Sequence, residues 1–147
     1  MFTNTLQQLF KRDLTKLKDE INAYKDQANL WITPKAISNS AGNLALHIVG
    51  NLNHFIGAEF GNTGYIRQRD LEFSLKNVER ETIIAQIDDT IQVVTEALSG
   101  LSEEDLQKEY RRNPFEQEMT AEYFLTHLAM HLSYHLGQIN YHRRLLE

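Results

Sequence analysis

The chain contains no cysteine, so neither a disulfide nor a thiolate metal ligand is available to it. Any metal it binds must be held by nitrogen and oxygen. Proline occurs only twice in 147 residues, which leaves long uninterrupted stretches free to be helical. No stretch approaches the roughly 20 apolar residues of a membrane-spanning helix, and Met1 to Lys18 lacks the continuous apolar core of a signal peptide. A cytoplasmic location is therefore expected. Basic residues are outnumbered, 15 Lys and Arg against 20 Asp and Glu, for a net charge of −5. That balance gives neither the basic footprint of a nucleic-acid binder nor a polybasic membrane patch. Small molecules are the expected partners.

What is present is helical periodicity. At this length one domain covering residues 1–147 is expected, and folding can bury about two thirds of the chain's surface without covalent staples. Leu6, Phe10, Leu14, Leu17, Ile21, Tyr24 and Ala28 recur at three and four, predicting a first helix that ends near Trp31, just before Pro34. Ser40 is placed to cap a second helix with an inward line through Leu44, Ile48, Asn51, Phe55 and Ala58, stopped by Gly61 and Gly64. Residues 61–77 carry no helical stripe and read as a long connection. Glu79 to Leu98 resumes the spacing through Ile83, Ile87, Ile91 and Val94. Ser102 to Asp105 begins a short surface helix, expected to run toward Asn113 and Pro114 and to add little to the core. Thr120 caps the last helix, which runs to Leu146. The pattern predicts an all-α protein, a four-helix bundle with a long crossover connection between its second and third helices.

Five of the six histidines fall on two of these helices: His47 and His54 on the second, His127, His131 and His135 on the last. Residues four apart on a helix lie on one face about 6 Å apart, so an HxxxH pair can present two imidazoles to one ion. His127 and His135 are about 12 Å apart along the axis, so His131 belongs to whichever pair is used. His47 and His54 are about 10.5 Å apart, so only one of them can join it. The spacing alone leaves both choices open. His54, His127 and His142 also read well as core histidines bonded to neighbours. Gly137 is expected to remove bulk beside the site, and Gln138 to share the face of His135. A ferritin-like di-iron site is excluded by the lack of any ExxH, and a zincin protease by the lack of HExxH. There is no GxSxG either.

The stretches NLALHIVGNLNHFI, residues 43–56, and HLAMHLSYHLGQINYHRRLL, residues 127–146, resemble the DinB-like superfamily of bacterial metal-binding four-helix bundles. HxxxHxGQ, His131 to Gln138, is the sharpest mark, and RQRDLEFS, residues 67–74, looks like the linker of one branch. The resemblance spans nearly the whole chain. It implies a divalent metal, nickel or zinc, held by His47, His131 and His135, with His54 and His127 outside the ligand set. It also implies a homodimer and, by likeness to some members, a thiol S-transferase that ionises a low-molecular-weight thiol for attack on an electrophile. Asn51, Tyr134 and Gln138 are then candidates for substrate binding or for orienting the ligands. Arg67 and Arg69 could clamp a substrate carboxylate or be solvated loop charges. The alternative is a bundle that binds metal or ligand without turnover.

Overall fold

The computed structural model describes residues 1–147 and is all-helical, with no strand. Helix α1, Phe2–Ala23, buries Leu6, Phe10, Leu14, Leu17 and Ile21 against α4, Arg80–Ser99, and α6, Ala121–Leu146. It stops eight residues before the expected end near Trp31. Tyr24 turns extended, with ψ at 126°, and the Asp26 carboxylate accepts a 2.9 Å hydrogen bond from the Ala28 amide, opening a separate 3₁₀ turn at Gln27–Trp31. A side-chain acceptor near the backbone here competes with continuation of the helix.

Helix α2, Ala41–Leu52, is capped as expected, Ser40 Oγ accepting from the Asn43 amide at 3.2 Å. Its burial is unlike the single stripe read from the sequence, because every residue from Ala41 to Leu52 is buried. The helix packs on α4 and α6, and its remaining face is covered by α3, Arg69–Ser74. That short helix lies inside the stretch expected to be plain connection. Past Leu52, α2 runs on through a wider π-type turn at Asn53–Ala58.

Helix α5, Glu103–Gln107, starts with a reciprocal cap between Ser102 and Asp105 and ends well short of Asn113. Contrary to expectation, this region contributes to the core. Leu106 is fully buried, and Tyr110 beyond it stacks on Phe124 with ring centroids 4.3 Å apart while its hydroxyl donates to the Phe55 carbonyl at 2.7 Å. Thr120 caps α6 through the Tyr123 amide. No helix is long and apolar enough to cross a membrane.

Candidate metal centre

Helices α2 and α6 bring three imidazoles together. His131 Nε2 lies 3.2 Å from His47 Nε2 and 3.1 Å from His135 Nε2, and one nitrogen from each residue falls within a 4.8 Å group. The outer nitrogens are fixed by oxygen acceptors. His47 Nδ1 is 2.9 Å from Glu72 Oε1, and His135 Nδ1 is 2.7 Å from Gln138 Oε1. An ionised carboxylate and an amide oxygen only accept, so both Nδ1 atoms carry hydrogen and both Nε2 lone pairs face inward. A neutral His131 has at most one Nε2 proton to offer and cannot satisfy both. A cation can satisfy all three. An ion about 2.0–2.1 Å from each nitrogen at tetrahedral angles separates the nitrogens by about 3.3–3.4 Å, close to the spacing present, so the residues fit a divalent metal.

The brace behind His47 comes from α3. Glu72 is buried, and Arg67 grips it with two 2.8 Å hydrogen bonds, Nε to Oε2 and Nη2 to Oε1. Burial alone pushes the Glu72 carboxyl up, but the hydrogen bonds from His47 and Arg67 outweigh it and hold the pKa below its usual value. Phe73, the next residue, packs its ring 4.9 Å from that of His47. Arg67 is thereby an ion-paired side chain rather than a solvated loop charge. Arg69 lies over the Phe73 ring, 5.1 Å from its centroid, and pairs with no carboxylate.

Burial pushes His131 down to about 3, helped by the neighbouring charges that His135, His47 and His127 would carry. Burial also lowers His135, against an upward pull from Gln138. Both imidazoles are therefore neutral and fit to ligate at neutral pH.

A cavity of about 520 Å³ opens beside His47 and His131, walled by Phe55, Phe115, Phe124 and Leu128, with Asn51, Arg67, Arg69 and His127 also on its surface. Asn51 is buried, and its Oδ1 has no hydrogen-bond partner. On the other side, His135 and Gln138 border a second cavity with the exposed Tyr134, whose ring is 5.4 Å from that of His135.

The remaining histidines stand apart from this group. His127 packs between Phe115 and Phe124, its ring 6.4 Å from that of His131. His54 lies in the wide turn against Phe55, its pKa lowered by burial and by the charge of Arg67. His142 is a satisfied core residue: Nε2 is 2.7 Å from the Ile32 carbonyl and so donates, leaving Nδ1 to accept from the Tyr24 hydroxyl at 2.7 Å. Gly137 does not relieve the site of bulk. It borders a groove with Lys16 and Glu20 of α1, and a Cβ there would meet nothing within 4 Å.

The sequence reading missed Glu72 and Gly50. Gly50 sits one turn after His47, and a Cβ on it would collide with the Glu72 carboxylate, so the glycine is the opening through which Glu72 reaches the imidazole. A lone glutamate in a short linker carries no periodic signal. Its only trace was the RQRDLEFS likeness.

An inward-facing set of three histidine nitrogens beside an open cavity defines a helical protein with a candidate tri-histidine metal centre. The chain belongs to the DinB superfamily, whose family model matches residues 6–139, a span that includes all three histidines. No curated protein matches the chain.

Proposed function

We propose that the protein is a divalent-metal-dependent enzyme acting on small molecules, holding one nickel or zinc ion at His47, His131 and His135 and transferring a low-molecular-weight thiol to an electrophile. The observation that carries the metal is the convergence of three Nε2 atoms, with the Nδ1 protons of His47 and His135 committed outward to Glu72 and Gln138. Membership of the DinB superfamily supports the same reading. The finer architecture belongs to it as well: α1, α2, α4 and α6 as a four-helix bundle, with the α2 to α4 connection as its crossover.

Three protein ligands leave coordination positions open, as catalytic rather than closed structural sites do. A divalent ion there supplies positive charge that favours thiolate over thiol. The protein has no cysteine, so the sulfur must come from a diffusible molecule, and the cavity beside His47 and His131 is its way in. Apart from the two ligands and its arginines, that cavity has one titratable side chain, His127, to take or give a proton.

The same sparseness favours a second reading, a module that binds metal or ligand without turnover. Metal-loaded and stripped protein, assayed with a panel of small thiols and electrophiles, separates the two. Transfer that needs metal and disappears in His131→Ala supports the enzyme. Equal background rates in both forms, with no thiol-induced change in the spectrum of the cobalt-substituted protein, support the module. A homodimer completes the proposal, supported by an exposed apolar face of α6 on which Tyr123, Met130, Tyr134 and Tyr141 follow helical spacing. Sedimentation equilibrium tests it.

A further inference from the structure

Helix α3 has six residues, too few to be stable alone, and the carbonyls of its last turn have no partner within the helix. Its end is held from outside. Asn43, fully buried in the first turn of α2, takes two carbonyls on one nitrogen: Nδ2 is 2.9 Å from Glu72 O and 2.8 Å from Leu75 O. The orientation of the amide follows from its partners. A carbonyl only accepts and an ammonium only donates, so Nδ2 faces Glu72 and Leu75 while Oδ1 faces Lys76 Nζ. Oδ1 also accepts from the Ser40 hydroxyl at 2.7 Å. All four hydrogen bonds that a primary amide can make are therefore made.

Glu72 is thus gripped at both ends by one face of α2. Asn43, His47 and Gly50 are spaced by four and three residues, so they follow one another along that face. Asn43 bonds the main-chain carbonyl of Glu72, His47 Nδ1 bonds its carboxylate, and Gly50 leaves the gap that the side chain crosses. A glutamate side chain turns about three bonds, and the reach of its carboxylate depends on where its backbone stands. We propose that Asn43 is a positioning residue of the histidine centre, fixing the backbone of Glu72 at the place from which its carboxylate meets Nδ1 of His47. The inference rests on the metal-site reading for its effect on an ion, whereas the contacts from Asn43 through Glu72 to His47 belong to the chain alone. A purely structural Asn43 would clamp α3 to α2 and have no influence on the imidazole.

Asn43→Asp keeps the shape of the side chain and the oxygen that Ser40 and Lys76 bond, but sets a second oxygen against the two carbonyls. Asn43→Ser gives the same comparison should aspartate disturb folding. The first readout is the full-length, metal-free protein with isotope-labelled histidine, in which NMR follows the Nδ1 protons. In the wild type those of His47 and His135 should both be protected from exchange with water. Either Asn43 variant should speed exchange of the His47 proton by about two- to tenfold, the worth of one hydrogen bond. The His135 proton, held by Gln138 on α6, should not change. The second readout is nickel affinity by competition with a chelator. Each variant should bind about two- to tenfold more weakly than wild type. That difference should vanish when both proteins also carry Glu72→Ala, because without the carboxylate the position of its backbone no longer matters to His47. A His47 proton unprotected in the wild type or unaffected by the Asn43 variants would overturn the proposal. So would a loss of affinity as large without the Glu72 carboxylate as with it. Failure of the wild type to load nickel would count against the metal reading alone, since exchange of the His47 proton decides the role of Asn43 without an ion.

Discussion

The side chain that Gly50 lacks is replaced in space by the carboxylate of Glu72, which passes through the gap on α2 to reach Nδ1 of His47. A carboxylate hydrogen-bonded to the far nitrogen of a ligating imidazole fixes its tautomer and raises its basicity, and loss of such a partner typically costs 10–100-fold in metal affinity. Glu72→Gln and Gly50→Ala should each weaken metal binding by about that factor, read by competition with a chromophoric chelator. Gly50→Ala is the sharper test. Alanine in place of glycine inside a helix is favourable by about 0.5–1 kcal/mol on backbone grounds alone. A variant that gains stability and keeps its metal affinity would show that the gap has no such role.

The three proposed ligands should be separable from the other histidines. Elemental analysis of protein purified without a tag should find about one divalent ion per chain. His47→Ala, His131→Ala and His135→Ala should each abolish it, whereas His54→Ala and His127→Ala should retain most of it. Metal lost with His54→Ala but kept with His47→Ala would move the site to another part of α2.

Acid should destabilise the metal-free protein through the centre itself. The folded-state pKa of His131, about 3, lies below the value of about 6.5 for an unfolded histidine, and His135 is lowered too. Below about pH 6.5 the unfolded chain therefore takes up protons that the folded one refuses. Stability is held above about pH 6.5 and falls progressively toward pH 3. The lowered carboxyl of Glu72 adds loss in the same direction at the acid end of that window. Urea midpoints measured in chelator at pH 7.5 and 4.5 should differ, and the difference should shrink in His131→Asn.

The segment around α5 should prove part of the core. Leu106→Ala should lower stability by about 2–5 kcal/mol, the range for deleting a fully buried leucine side chain. Tyr110→Phe removes the hydroxyl that donates to Phe55 O and should cost about 1 kcal/mol. Denaturant titrations check both.

The chemistry that acts within a few residues was legible in the sequence. Ser40, Ser102 and Thr120 cap helices because a hydroxyl reaches the amide three positions on, and the HxxxH spacing of His131 and His135 follows from the pitch of the helix. Spacing did not decide between His47 and His54, because residues seven apart return to nearly the same face and only the resemblance favoured one. What escaped was set by distant partners. Six residues of α3 are too few to show a stripe, so the Glu72 brace was invisible. Tyr24 leaves α1 to meet His142, a contact 118 positions away. The uniform burial of α2 arises because α3 covers the face that an amphipathic reading assigns to water.

His47 and His131 are 84 positions apart and come within 3.2 Å of each other. An ion shared between them ties the first half of the chain to its last helix, as a cystine bridge would in a protein that had one. Closing a loop of that length removes about 4–5 kcal/mol of disorder from the unfolded ensemble where the tie persists there, but a metal tie is made only in the fold. Its hold is therefore reversible. A chelator works on it as a reductant works on a disulfide, and resistance to proteases should rise and fall with the ion in a chain that contains no sulfur able to cross-link it.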